Sequence, residues 1–127
     1  MNENTLGKIS VIGIFISIIV LYIVTNQIFS SHVQIGDIDK SFVGKTVNVT
    51  GEIITVSETA GNYFIRIKDG TGEIKIILWS DTIEFLKANN FDLNEFKVGN
   101  KINAIGDVQI YKGELEVIPL RGNVNLI

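Results

Sequence analysis

The feature that most constrains this chain is an uncharged apolar run near its start. No Asp, Glu, Lys or Arg occurs between Ile9 and Asp37, and positions 9–24 are mostly Ile, Val, Leu and Phe. As an α-helix, residues 9–29 would extend about 31 Å at ~1.5 Å per residue. That length matches a hydrocarbon core of roughly 30 Å. Because a single segment in lipid must satisfy its own backbone hydrogen bonds, the run predicts one transmembrane helix.

A cleaved signal peptide is the alternative for the same run. Lys8 provides a short positive region before it, but the apolar stretch exceeds the ~7–15 residues usual for a signal peptide. Bulky Ile28 and Phe29 precede Ser30, so no small-residue cleavage site follows the run. We therefore expect an uncleaved single-pass anchor. Because Lys8 lies closer to the run than any later positive charge, we expect the following domain outside the cytoplasm.

The charged residues define the rest of the chain. Twenty-three of the 25 charges follow residue 36, in a remainder of about 95 residues that is long enough for one small domain. The sequence contains no cysteine, which excludes a disulfide scaffold and a cysteine-bound zinc. We predict four parts, a short tail (1–8), an anchor (9–29), a juxtamembrane linker and lead-in (30–42) and one domain (43–127).

The domain alternates apolar and polar residues between turn signals, as half-buried strands do. We predict strands over 45–57, 63–68, 73–79, 101–111 and 114–120, and a helix over 82–89 capped by Ser80-Asp81 in a capping box with Glu84. Gly51 fits a strand that bends to join two sheets, and Pro119 fits the end of strand pairing. Three strands, a helix and a hairpin indicate an all-β, five-stranded Greek-key barrel whose helix plugs one end.

Four sequence segments resemble a known family. They are VGKTVNVTG (43–51), YFIRIKDGTGEIKI (63–76), VGNKINAIG (98–106) and YKGEL (111–115). They are similar to OB-fold nucleic-acid-binding domains of the tRNA-anticodon-binding and replication-protein-A type. The resemblance covers residues 43–118 and implies an OB barrel. OB barrels serve many purposes, so it is more specific for the fold than for a ligand.

Ligands of such barrels lie across strands two and three, between the one–two and four–five loops. Alternation puts six side chains on the outer face of those strands, namely Phe64, Arg66, Lys68, Lys75, Ile77 and Trp79. Glu73 is the only acidic residue on that face. Bases can stack on the aromatic rings there while the cations meet phosphates. The predicted nucleic-acid-binding residues are Phe64, Arg66, Lys68, Lys75, Trp79, Tyr111 and Lys112.

Other interpretations of these residues stay open. Alternation is typical of any half-buried strand, lysine on an edge strand deters aggregation, and Trp79 can pack under the helix. Residues 33–127 hold ten Lys and Arg against thirteen Asp and Glu, which opposes phosphate binding. The alternative function is an extracytoplasmic adaptor for a protein or a small ligand. Haem chaperones of cytochrome c maturation share an anchor-plus-barrel layout, but they use a C-terminal histidine motif, and no histidine follows His32.

The sequence offers no catalytic constellation. It has no recognisable nucleophile–base pair, and Asp37 and Asp39 have no further metal ligands at suitable spacing. We therefore expect a non-catalytic binding module with no metal and no cofactor. Its expected partners are the lipid bilayer through residues 9–29 and either single-stranded nucleic acid or a protein.

Overall fold

The computed structural model describes residues 14–19 and 32–127, and the chain divides into two compact units, Met1–Ser30 and Ser31–Ile127. In the first unit, residues 14–19 are helical. The remainder of the predicted anchor (9–29) and the predicted tail (1–8) lie outside the described residues. No helix within 14–19 and 32–127 has both the length and the apolar character needed to cross a membrane.

The second unit is a closed five-stranded barrel. Its strands are β1 (Thr46–Thr59), β2 (Asn62–Lys68), β3 (Glu73–Leu78), β4 (Lys101–Tyr111) and β5 (Glu114–Leu126). Helix α1 (Ser80–Ala88) joins β3 to β4, and the strands follow the order β1-β2-β3-β5-β4 around the barrel. Neighbouring strands are antiparallel except β3 and β5, which are parallel. The predicted five-stranded barrel with one helix between strands three and four is confirmed.

Strand β1 closes the barrel by pairing with two neighbours. Its residues 46–52 pair with β4 and its residues 52–59 pair with β2. Gly51 lies at the change of partner, where an added Cβ would be 2.7 Å from the carbonyl oxygen of Lys68. Because a side chain would collide with this backbone, only glycine fits the bend. Gly51 therefore lies where β1 passes from one neighbouring strand to the other, which is the role that the sequence suggested for it.

The predicted alternation places the core correctly. The largest fully buried side chains of the barrel interior include Ile53, Ile65, Ile67, Ile76, Leu78 and Ile102. Helix α1 adds Ile83 and Leu86 to the same cluster. Ile35 and Ile38, which belong to the predicted lead-in, are also buried in this cluster. The backbone amide of Ile35 donates to Asp69 Oδ2 at 2.9 Å, which fastens this segment to the β2–β3 turn.

Two local predictions are wrong. Strand β5 does not end near Pro119 but continues to Leu126. Pro119 pairs with Gly106 at an irregularity in the β4–β5 ladder, a place in a sheet where proline is tolerated. The β4 chain comes so close here that a Cβ on Gly106 would lie 2.2 Å from the carbonyl oxygen of Ile118.

The start of α1 also differs from the prediction. The helix begins at Ser80 with Trp79 as its N-cap residue, and the Trp79 side chain makes no cap hydrogen bond. The Ser80 amide instead donates to Asn62 Oδ1 of β2 at 2.8 Å, and the Thr82 amide donates to Asp81 Oδ1 at 2.8 Å. A neighbouring strand therefore supplies the acceptor that the predicted capping box was expected to provide.

Candidate nucleic-acid interface

The outer surface of β2 and β3 holds four of the predicted site residues together. Arg66 lies directly opposite Lys75, and Phe64 lies opposite Ile77. Phe64, Arg66 and Lys75 line a groove of about 300 Å³ with Thr55 and Ser57 of β1. Trp79 adjoins this groove because its ring contacts Phe64 edge to face, with ring centroids 6.3 Å apart. We call this surface the β2–β3 face.

The aromatic residues of the β2–β3 face differ in exposure. Trp79 is 42% exposed, and Phe64 is half-buried. Ile77 faces outward like its neighbour Phe64, yet its side chain is buried, and it is not part of the hydrophobic cluster inside the barrel. Trp79 therefore is not packed away under the helix, and part of its indole is available for contact.

Strand β5 brings two carboxylates to this face. Glu114 Oε1 lies 2.6 Å from Arg66 Nη2, and Glu114 Oε2 lies 3.4 Å from Lys75 Nζ. Lys75 Nζ is also 3.8 Å from Glu116 Oε2. The hydrogen bond from Arg66 is the main reason that the pKa of Glu114 lies below its usual range. Arg66 and Lys75 are thus paired with negative charge.

Glu116 is the more deeply placed of the two carboxylates. Its side chain is 2% exposed and accepts a hydrogen bond from Gln109 Nε2 at 3.0 Å. Glu116 pairs with Lys75 on one side and with Gln109 on the other, so all three share the outer surface. The acidic residues at positions 114 and 116 alternate with partly buried Leu115 and buried Val117, and this alternation of acidic and apolar residues is visible in the sequence. A five-stranded barrel closes by pairing strand three with strand five. Taking that pairing into account would have identified Glu114 and Glu116 as residues of this face from the sequence.

The β4–β5 turn lies beside the β2–β3 face. Tyr111 pairs with Glu114, so its side chain is on the same outer surface, and it is 59% exposed. Lys112 adopts a left-handed backbone at the turn, with φ 51°, and its Nζ lies 5.4 Å from the centroid of the Tyr111 ring. The Arg66–Glu114 ion pair joins the first residue of β5 to β2 and so holds this turn near the groove.

Lys68 is separate from the other predicted residues. It lies at the far end of β2 from Phe64, opposite Glu52 and Glu73. It lines a different groove, of about 750 Å³, together with Lys101 and Asp69. The structure therefore does not bring Lys68 into the groove that holds Arg66 and Lys75.

Potential metal ligands do not converge in the described part of the chain. Residues 14–19 and 32–127 contain no cluster of three or more His, Cys, Asp or Glu side chains that could hold a metal ion. Asp39 acts in a turn, where its side chain accepts from the Ser41 amide at 2.9 Å. The hydrogen bonds from Ser41 lower the pKa of Asp39.

Comparison with solved structures shows how widely this fold is shared. Asparaginyl-tRNA synthetase from Pyrococcus horikoshii matches with a TM-score of 0.62 and 19% identity, over 76% of this chain and 22% of that chain. This chain therefore spans about a fifth of the synthetase. An OBody bound to hen egg-white lysozyme matches with a TM-score of 0.60 and 16% identity, over 75% of this chain and 91% of that chain.

A replication protein A heterotrimer bound to ssDNA matches with a TM-score of 0.50 and 16% identity, over 67% of this chain and 58% of that chain. At such identities the similarity shows the fold alone. No match is found among curated proteins. The family model described as "OB-fold nucleic acid binding domain" matches residues 47–123, more than half of the chain. The chain therefore belongs to the family of OB-fold nucleic acid binding domains.

Proposed function

We propose that the chain binds single-stranded nucleic acid on the β2–β3 face and the adjoining β4–β5 turn. The observation that carries this proposal is a groove that Phe64 lines together with Arg66 and Lys75. Trp79 contacts the Phe64 ring, and Tyr111 lies opposite Glu114, the ion-pair partner of Arg66. Stacking of a base on an aromatic side chain contributes about 1–3 kcal/mol and tolerates any base. Three such rings are enough for sequence-tolerant binding of a short single strand.

The ion pairs on the face determine how the cations take part. Glu114 accepts from one guanidinium nitrogen of Arg66, and the guanidinium has five N–H donors. Its remaining donors can therefore reach a phosphate while Glu114 fixes the orientation of the plane. Because the net charge of Arg66 and Lys75 is offset by Glu114 and Glu116, stacking supplies most of the affinity, and phosphate contacts supply less.

The single tryptophan of the chain gives a direct test. The sequence has one Trp, and Trp79 lies on the proposed face, so its fluorescence reports on that surface. We expect oligo(dT) added to the full chain in detergent to quench this fluorescence at low salt, and the anisotropy of a labelled oligonucleotide to rise in parallel. If neither signal changes at high micromolar protein, the proposed function is wrong.

Two matched aromatic variants locate the binding surface. Tyr111 has Lys112 beside its ring, and Phe42 has Lys45 Nζ at 5.7 Å from its ring centroid. Phe42 does not line the groove of the β2–β3 face. We expect Tyr111→Leu to weaken oligonucleotide binding by about fivefold or more, since one stacked base is lost. Phe42→Leu should leave the affinity unchanged.

A non-catalytic adaptor that binds a protein or a small ligand is the second candidate. The offset charges at the centre of the β2–β3 face and the net charge of −3 favour it, because neither attracts a phosphate backbone. The OBody structure of similar fold is bound to a protein, hen egg-white lysozyme. Absence of oligonucleotide binding in the fluorescence experiment would leave this candidate in place of the first.

We also propose that residues 9–29 anchor the chain in a membrane. The apolar run and its length support this proposal. Protease treatment of sealed vesicles that contain the full chain tests both the anchor and its orientation. Protection of the barrel on the cytoplasmic side favours nucleic acid as the ligand, and cleavage from the outside favours the adaptor. Release of the chain from the vesicles by alkaline carbonate would contradict the anchor.

A further inference from the structure

A third groove lies between the end of α1 and the last third of β5. Its volume is about 440 Å³, and it includes no residue of the β2–β3 face. Four asparagines and two phenylalanines form most of its walls, namely Asn89, Asn90, Asn123, Asn125, Phe85 and Phe91. We call it the asparagine groove.

A bulge in β5 creates the asparagine groove. Pro119 pairs with Gly106 and Val124 pairs with Ala104, so residues 120–123 lie opposite the single residue Ile105. At Gly122 the backbone has φ 80°, and an added Cβ would lie 2.9 Å from Phe85 Cε1. A longer side chain at this position would fill the space between β5 and α1, so glycine keeps the groove open.

The asparagine side chains that line the groove have unused hydrogen-bonding capacity. Asn89 Nδ2 donates to the Phe85 carbonyl at 2.8 Å, which leaves its amide oxygen available. Within residues 32–127, no hydrogen bond involves the carboxamides of Asn90, Asn123 or Asn125. Asn123 and Asn125 flank buried Val124 along the strand, so both carboxamides lie on the outer surface.

Charge is nearly absent from the asparagine groove. Among the described residues that line it, Arg121 is the only charged one, and its Nη2 lies 3.5 Å from Asp81 Oδ2. The guanidinium carbon of Arg121 is 5.7 Å from the centroid of the Phe85 ring. The groove thus places the planar guanidinium of Arg121 beside the Phe85 ring, and its asparagine carboxamides each offer a donor and an acceptor. Its one charged side chain, Arg121, is close to Asp81, so the groove offers little charge to a phosphate.

We propose that the asparagine groove binds an adenine base of the same single strand that occupies the β2–β3 face. This inference rests on the proposed function and adds base preference to it. An asparagine carboxamide can accept from the adenine N6 amino group and donate to N7 at the same time. A guanidinium plane such as that of Arg121 offers a surface on which the base stacks.

Both surfaces lie within reach of one strand. Trp79 of the β2–β3 face precedes α1, and the asparagine groove begins at Phe85 and continues past the helix end. The nine residues of α1 extend over about 13 Å. Stacked nucleotides advance by about 3.4 Å each, so roughly four nucleotides connect the two surfaces.

Replacing the two β5 asparagines tests the base preference. We expect the full chain to bind oligo(dA) about fivefold or more tightly than oligo(dT) in fluorescence anisotropy, the discrimination of one good bidentate contact. Asn123→Ala with Asn125→Ala should abolish this preference and leave oligo(dT) affinity unchanged. Asn94→Ala is the matched control, because Asn94 is exposed and does not line the groove.

Different results overturn the inference and the proposed function. Equal affinity of the unaltered chain for the two oligonucleotides, or a preference that survives the double substitution, overturns the adenine site alone. No binding of either oligonucleotide overturns the proposed function and the adenine site with it. If the double variant does not fold, Asn125→Asp serves instead, since it keeps the side-chain size and removes the donor that N7 requires.

Discussion

Glu114 controls how much positive charge the β2–β3 face can offer to a ligand. It lies 2.6 Å from Arg66 and 3.4 Å from Lys75. We expect Glu114→Gln to strengthen oligonucleotide binding about twofold to fivefold at low salt, because breaking a partly exposed ion pair costs about 0.2–1 kcal/mol. Anisotropy titrations measure the change, with Glu73→Gln as the control. Unchanged affinity would mean that phosphates do not contact Arg66 or Lys75.

Asp69 links the pH to the stability of the barrel. Burial alone would raise the pKa of Asp69, but hydrogen bonds from the Thr71 side chain and from the amides of Ile35, Thr71 and Gly72 outweigh it and lower the pKa. Because the folded-state pKa is below the unfolded-state value of about 3.9, the stabilisation is complete above that value. It is lost as the pH falls through the folded-state pKa.

This sign predicts the behaviour of Asp69→Asn in urea unfolding. At neutral pH the variant should be less stable by about 1–3 kcal/mol, since the Ile35 amide loses its charged acceptor. The difference from the unaltered chain should shrink as the pH falls below about 4. Asp37→Asn is the control, because within residues 32–127 no hydrogen bond to the Asp37 side chain occurs. A stability difference that does not change with pH would contradict the role of the Asp69 charge in stabilising the barrel.

The β4–β5 ladder requires glycine at its irregularity. An added Cβ at Gly106 would lie 2.2 Å from the Ile118 carbonyl oxygen and 2.5 Å from Pro119 Cα. We expect Gly106→Ala to lower the free energy of unfolding by about 1–3 kcal/mol, because the backbone of β5 must move. Gly70→Ala is the matched control, since no atom of the described residues lies within 4 Å of its added Cβ. Equal unfolding midpoints in urea for the two variants would show that β5 can shift freely.

Local patterns predicted the elements well, and long-range pairing explains what they missed. Alternation identified the buried faces of β1, β2 and β3, and Gly51 marked the place where β1 changes its pairing partner, because each depends on neighbours in sequence. Pro119 indicated a strand end by the same local rule. Its actual position opposite Gly106 depends on the pairing of β5 with β4, which no local pattern contains.

The candidate site shows the same division. The outward direction of Phe64, Arg66 and Lys75 follows from alternation, and the structure brings all three to one groove. Their pairing with Glu114 and Glu116 follows from the parallel contact of β3 with β5, in which Lys75 is opposite Glu116. Residues so distant in sequence meet only because the barrel closes. The sequence alone therefore overstated the positive charge of this face.

At the scale of the whole molecule, charge predicts a weak dependence of binding on salt. The chain carries a formal charge of −3, and Arg66 and Lys75 are paired with carboxylates of β5. Each phosphate neutralised on a single strand contributes about −0.7 to the slope of log K against log salt. If the face contacts no more than about two phosphates, the slope should be no steeper than about −1.4.

Anisotropy titrations of the full chain from about 50 to 300 mM NaCl measure this slope, which reports the number of released counterions. Lys112→Gln should make it shallower by about 0.7, because Lys112 lies at the exposed turn beside Tyr111. Lys97→Gln is the control, since Lys97 is exposed and lies outside the β2–β3 face. A slope steeper than about −3 would require four or more phosphate contacts. The ion pairs of Arg66 and Lys75 would then have to open when nucleic acid binds, and stacking would no longer be the main source of affinity.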